Sequence, residues 1–197
     1  MSKRLFDWIL SSLGLLVLGP VLILVALAIK LDLPGPVFFR QERVGRWGHP
    51  FWIHKFRTMR HDPVGQGLQI TVGQDARITR VGAFLRASKI DELPQLIDVW
   101  VGTMSLVGPR PEVPRYVAVY PPELRDKILS VRPGITDIAS IEYRDESAVL
   151  ARAADPEQAY LHEVLPHKLA LSARYVDQAS VWTDLQLILR TLLAIVR

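Results

Sequence analysis

The run Ser88-Lys89-Ile90-Asp91-Glu92-Leu93-Pro94-Gln95-Leu96 places two adjacent carboxylates just ahead of an apolar-periodic segment. Pro94 suits the first turn of a helix, where a missing N–H costs nothing. Two readings of the pair stand. In one, Asp91 is an N-cap and Glu92 a favourable first-turn acid, together worth about 1–2 kcal/mol. In the other, an ionised carboxylate sits beside backbone donors able to hold a phosphate. A carboxylate, a magnesium ion and a diphosphate would then make a phosphoryl-transfer site.

A second cluster is Met104-Ser105-Leu106-Val107-Gly108-Pro109-Arg110-Pro111-Glu112. Proline on both sides of Arg110 stiffens the backbone and presents one guanidinium from a rigid loop. Arginine grips a phosphate through two parallel hydrogen bonds, and rigidity lowers the cost of ordering it. The competing reading is a proline-rich turn with a surface arginine. Val131-Arg132-Pro133-Gly134-Ile135-Thr136 holds a further arginine at a Pro-Gly turn, with the same two readings.

Charge is unevenly placed around these clusters. The whole chain has 24 Lys+Arg against 20 Asp+Glu, a net +4. From Lys30 to Arg60 alone, seven basic residues, including Lys55 and Arg57, face only Asp32 and Glu42, a local +5. Such a surplus faces an anion: nucleic acid, a lipid headgroup surface or a phosphorylated substrate. Zero Cys excludes a disulfide scaffold, a thiolate zinc or iron–sulfur site and a cysteine nucleophile. The length of 197 residues suits one compact domain.

The N-terminal segment selects among the anions. Trp8 to Ile29 is an uncharged run of 22 residues, long enough as a helix to cover about 30 Å of hydrocarbon. It exceeds the apolar core of an ordinary signal peptide, although Ala26-Leu27-Ala28 mimics a cleavage site. Gly19-Pro20 in its middle predicts a bend, and basic residues flank both ends. A bent, re-entrant helix satisfies both features, and a kinked straight span is the alternative.

Beyond it the pattern is mixed α/β but mostly helical. Val37-Phe38-Phe39 and Phe51–Met59 read as strands joined at 45–48, with Lys55 and Arg57 on one side of the second strand. Residues 61–75 read as a mobile loop. Helices are expected near 79–87, 92–101, 113–129, 156–177 and 180–196. The last is markedly apolar and too short to span, so it packs on the core or lies in a membrane interface. Trp182 fits either position.

Taken together, the motifs resemble those of the bacterial sugar transferases known as small monotopic phosphoglycosyl transferases. The resemblance rests on Lys3-Arg4…Asp7, Pro34-Gly35-Pro36-Val37, Gln41-Glu42-Arg43-Val44-Gly45, Lys55-Phe56-Arg57-Thr58-Met59 and Arg77-Ile78-Thr79-Arg80-Val81-Gly82. It continues through Asp91–Leu96, Met104–Pro111 and Arg132–Thr136. It implies a re-entrant membrane helix over residues 1–33 and a compact cytoplasmic catalytic domain over 34–197. That domain would carry a short β-hairpin, interfacial helices and a C-terminal amphipathic helix. The implied enzyme sits in the bacterial inner membrane at its cytoplasmic face. It moves a sugar 1-phosphate from a UDP-sugar to a polyprenyl (undecaprenyl) phosphate, releases UMP and binds no nucleic acid. By the resemblance Asp91 is the nucleophile and a magnesium (Mg2+) ligand, and Glu92 its acid/base partner. Arg110, with Pro111, contacts the nucleotide, and Lys55, Arg57 and Arg132 are phosphate or structural contacts.

Two departures mark this chain. Gly19-Pro20 stands where Ser-Pro is frequent, and Asp137-Ile138-Ala139-Ser140 follows Thr136 where many members continue with Gly and Ala-Gln. The sequence therefore sets neither the sugar nor the oligomeric state. The alternatives of another class are a non-catalytic, membrane-anchored basic module that binds nucleic acid or acidic lipid, and a transferase-like partner that only scaffolds glycan assembly.

Overall fold

Thirty-one residues, Ser2–Asp32, form one helix, α1. The computed structural model describes residues 2–60 and 75–196, so the loop expected over 61–75 lies, Asp75 apart, outside them. The uncharged stretch of α1 is long and apolar enough to cross a membrane, and only 6% of its most apolar window is covered by protein. Leu16, Val17, Ile23, Leu24 and Leu27 are all more than half exposed. A soluble core helix would bury those side chains.

Both ends of α1 are nevertheless fastened to the rest of the chain. Asp7, 2% exposed, accepts hydrogen bonds from the Ser105 hydroxyl (2.9 Å) and the Leu106 amide (3.1 Å). Lys3 donates to the Val107 carbonyl (3.0 Å) and pairs with Asp184. Toward the other end, Ile29 joins Phe56 and Leu85 in a small apolar cluster.

An antiparallel hairpin follows, β1 (Phe38–Val44) on β2 (Pro50–Phe56), in register from Phe38 opposite Phe56 to Val44 opposite Pro50. The connection falls where the sequence put it. β2 ends at Phe56 rather than Met59, and Arg57 does not share a destination with Lys55. Its guanidinium turns back to the Leu33 (2.8 Å) and Pro34 (3.0 Å) carbonyls, where it satisfies the chain leaving α1.

The next elements are α2 (Arg80–Ala87), a 3-10 turn (Ile90–Glu92) and α3 (Gln95–Val101). Two three-residue strands that the sequence reading missed, β3 (Ser105–Val107) and β4 (Gly134–Thr136), pair in parallel. Their ends demand glycine. A Cβ on Gly108 would lie 2.4 Å from the Arg132 carbonyl oxygen, and one on Gly134 would lie 2.1 Å from the Gly108 nitrogen.

The single helix expected over 113–129 is two, α4 (Pro114–Val117) and α5 (Pro122–Ile128). Pro121 is extended (ψ 133°), as a residue before proline must be, and Pro122 starts the second helix. Two further short helices, α6 (Ile138–Glu142) and α7 (Glu146–Leu150), lead to α8 (Pro156–Ala159), which Asp155 caps. A wide turn at Tyr160–Val164 joins α8 to α9 (Leu165–Gln178) just before Pro166, whose missing N–H cannot serve a regular ladder.

The last helix is α10 (Val181–Val196). It buries Asp184 and Leu187 while leaving Leu189, Leu192 and Leu193 more than half exposed. Trp182 is 67% exposed, so it is not a core tryptophan. α10 touches α1, and uncovered apolar surface therefore lies on both members of one helix pair. The architecture is mostly helical, with small sheets and one long apolar N-terminal helix.

Candidate active site

Asp91 and Glu92 stand in the 3-10 turn between α2 and α3, and neither caps α3; that position is Pro94, which offers no side-chain bond. The capping reading of the pair is therefore corrected. Three residues per turn send consecutive side chains about 120° apart, so adjacent carboxylates face different surroundings. Lys89, in the left-handed region at φ 57°, sets the turn.

Glu92 points at two cations. Lys55 Nζ donates to its Oε1 at 2.7 Å, while Arg110 Nη1 donates to Oε2 at 3.1 Å and Arg110 Nη2 to Oε1. Burial alone would push the Glu92 carboxyl up, but the Arg110 and Lys55 charges and their hydrogen bonds hold it well below the usual carboxylate range. Burial lowers the Lys55 ammonium, and Glu92 opposes that.

Asp91 moves the other way. It is 9% exposed, and its Oδ1 is buried without a hydrogen-bond partner. Burial, and then the neighbouring Glu92 charge, push its carboxyl up against the pull of Lys55, Arg86 and Lys89. Gln95, four residues on, leaves its buried Nε2 unpartnered as well. Most buried polar groups in folded proteins are paired, so an orphaned carboxylate oxygen is a marker of function.

The scaffold explains why these groups meet. Asp98 on α3 accepts from the His54 amide (2.9 Å), and its Oδ1 lies 2.7 Å from His54 Nδ1, which fastens β2 to α3 and brings Lys55 to Glu92. On the far side, the Gly108 amide donates to the Thr136 carbonyl (3.1 Å) and the Gly134 amide to the Pro109 carbonyl (3.0 Å). This pins the loop that carries Arg110 to the end of the β3–β4 pair.

Of the residues singled out from sequence, Lys55, Glu92 and Arg110 are thus in direct contact, with Asp91 adjoining. Pro111 lends its carbonyl to Arg43 (3.1 Å). Arg57 and Arg132 stand apart. Arg132 Nε donates to the Gly102 carbonyl (2.7 Å), just after α3, while Arg4 takes the Val99 (2.6 Å) and Trp100 (2.8 Å) carbonyls. Both serve helix ends. Sequence reasoning missed Arg43 and Asp137 as neighbours of the site. Arg43 lies within the Gln41–Gly45 motif, and Asp137 directly follows Thr136.

The magnesium ion implied by the resemblance meets a consistent donor set. Asp91 Oδ1 is a hard oxygen donor, buried and without a hydrogen-bond partner. Among the described residues no group of three His, Cys, Asp or Glu could hold an ion unaided. Magnesium typically takes one or two carboxylates and completes its shell with substrate phosphates and water, which fits a single Asp91.

Residues 1–197 match the family model described as bacterial sugar transferase. The UDP-glucose:undecaprenyl-phosphate glucose-1-phosphate transferase of Xanthomonas campestris pv. campestris is 36% identical over 96% of this chain and 38% of its own. The protein of the same name from Caulobacter vibrioides is 37% identical over 97% of this chain and 68% of its own. A UDP-N-acetylgalactosamine-undecaprenyl-phosphate N-acetylgalactosaminephosphotransferase of Aeromonas hydrophila is 34% identical over 96% of this chain and 42% of its own. The chain thus spans about two fifths of the length of the Xanthomonas and Aeromonas relatives.

Proposed function

The chain belongs to the bacterial sugar transferase family, and from that premise we propose that it transfers a sugar 1-phosphate from a UDP-sugar to a polyprenyl phosphate, releasing UMP. The observation that carries this reading is Asp91 Oδ1, a buried carboxylate oxygen with no partner beside cations already neutralised by Glu92. In the first step an Asp91 oxygen attacks the sugar-bearing phosphorus and the phosphoanhydride bond to UMP breaks. In the second a polyprenyl phosphate oxygen attacks the same phosphorus, the acyl-phosphate bond breaks, and the Asp91 carboxylate returns. Bound magnesium would neutralise charge on the diphosphate. Arg110, 31% exposed at its side chain, presents to the nucleotide phosphates the edge that Glu92 leaves free. Glu92, ionised and doubly paired, suits an anchor for the two cations better than a proton donor. The test is UMP release from a panel of UDP-sugars with magnesium and undecaprenyl phosphate. Vesicle binding without UMP from any sugar would overturn this function in favour of a non-catalytic module.

Replacing Arg110 by Lys should reduce kcat/KM for the UDP-sugar by an amount equal to about 1–3 kcal/mol, because a point charge cannot reproduce the forked contact. Unchanged steady-state kinetics would remove Arg110 from the site.

The lipid acceptor calls for a membrane surface, and α1 supplies one from the cytoplasmic face of the inner membrane. A helix of 31 residues is about 46 Å long, so a straight crossing would carry one end far from the catalytic domain. Instead Lys3 and Ile29 both pack on that domain, which supports a re-entrant, monotopic placement bent near Pro20. The chain has no Cys, so cysteines placed at Ser2 and Leu31 are unique labels. In sealed inverted vesicles both should react with an impermeant reagent. Reaction at one and protection at the other would mean a full span.

A further inference from the structure

The motifs that carry the family resemblance stop at Thr136, yet residues beyond it reach the Arg110 loop through a buried ion cluster. Glu112 Oε1 accepts hydrogen bonds from the Tyr160 hydroxyl (2.7 Å) and from Lys168 Nζ (3.3 Å). Its Oε2 lies 3.7 Å from Arg43 Nη1. Lys168, 7% exposed, also donates to Glu146 Oε2 (2.9 Å), and its ammonium stands 5.1 Å from the centre of the Tyr160 ring. Burial would lower the Lys168 ammonium, but the Glu112 and Glu146 charges outweigh it, so the lysine is held charged.

Taking so many charges out of water is expensive, and a buried ion pair is weak evidence for stability as such. What the cluster does have is a place. Glu112 is two residues from Arg110, and the backbone of this stretch is tied down as well: the Arg110 amide donates to Asp137 Oδ2 (3.3 Å), and the Val44 amide donates to the Glu112 carbonyl (2.9 Å). The α9 side supplies the matching restraint through the Glu112 carboxylate.

We propose that Lys168 and Tyr160, acting through Glu112, are positioning residues that hold the Pro109–Glu112 loop so that the Arg110 guanidinium stays aligned on Glu92 and the substrate phosphates. This deepens the transferase reading and rests on it for the kinetic part alone. A restraint of this kind lowers the ordering cost of binding. Its loss should misplace Arg110 without removing it.

The test uses the full chain in lipid nanodiscs, with Lys168→Met, Lys168→Arg and Tyr160→Phe. Hydrogen exchange at the Gly108 and Arg110 amides should quicken about tenfold in Lys168→Met and Tyr160→Phe, be partly restored in Lys168→Arg, and stay unchanged in the β1–β2 hairpin. The kcat/KM for UMP release should fall roughly tenfold, the scale of a misplaced positioning group. In an Arg110→Lys background the same substitutions should cost little more, since the group they align is gone. Unchanged loop exchange, exchange raised evenly through the domain, or fully additive kinetic losses would each overturn the proposal. If Lys168→Met does not fold, Tyr160→Phe, which removes one hydroxyl, decides. Should the parent chain release no UMP, the transferase reading fails while the exchange measurement still settles the positioning.

Discussion

Asp91→Asn is expected to fold, to bind UDP-sugar and to lose turnover by about 10³-fold or more, the scale lost when a covalent nucleophile is removed. The amide keeps the shape of the side chain but cannot form the phosphosugar bond. A carboxylate nucleophile divides one transfer into two half-reactions, so the parent chain should show ping-pong kinetics. Mixed with UDP-sugar and magnesium but no lipid, it should gain the mass of one sugar phosphate, and Asp91→Asn should not. An equal adduct on both would place the nucleophile elsewhere.

The same substitution should raise thermal stability at neutral pH. Burial and Glu92 raise the Asp91 carboxyl above its ordinary value. A raised carboxyl stabilises the fold only while protonated. That contribution is complete below the unfolded value of about 3.9 and is lost as pH rises through the higher folded value. Asn is neutral throughout, so its advantage over Asp91 should be present at pH 7 and vanish on acidification. Were Asp91 only a structural residue of the turn, Asn would leave turnover nearly intact while bringing the same gain.

Much of the site was legible because it is local. The Asp91-Glu92 pair, the proline-flanked Arg110 and the hairpin at Gly45–Gly48 are written in neighbouring residues, and the structure keeps them where the sequence put them. What could not be read is where a long side chain turns. Lys55 and Arg57 are two residues apart on one expected face, yet one joins Glu92 and the other closes the end of α1. That choice depends on the packing of α1 and α3. Arg132 looks like Arg110 in sequence, but its partner is the Gly102 carbonyl, reached only once β3 and β4 pair. The break at Pro121-Pro122 is written in the residues themselves, because Pro122 holds Pro121 extended and starts a new helix. Capping and catalysis ask for the same residue before the same helix, and the structure removes only the capping of α3.

Glu92→Gln should cost stability first and activity as a consequence. The carboxylate neutralises Lys55 and Arg110 together, and all three side chains are at most 31% exposed. Gln leaves two neighbouring cations without their anion, and breaking a buried pair by removing one partner costs about 3–5 kcal/mol. For a chain of this size that is a fall in Tm of roughly 10 °C. The deficit has a defined pH range. Glu92 is depressed in the fold, so its stabilisation is present above the unfolded value of about 4.3 and is lost only as pH falls through the lower folded value. The melting difference between parent and variant should therefore be constant from pH 8 to pH 6, taken as a range about neutrality, and shrink only in acid well below the ordinary glutamate range. Pyrophosphate, an anion without sugar or base, should restore more stability to the variant than to the parent, because it supplies the charge that Gln removed. If Glu92 instead served as a proton donor, Glu92→Gln would melt with the parent, respond equally to pyrophosphate and fail only in turnover. Melting curves with and without pyrophosphate separate the two roles without any catalytic assay, and equal curves would remove Glu92 as the anchor of Lys55 and Arg110.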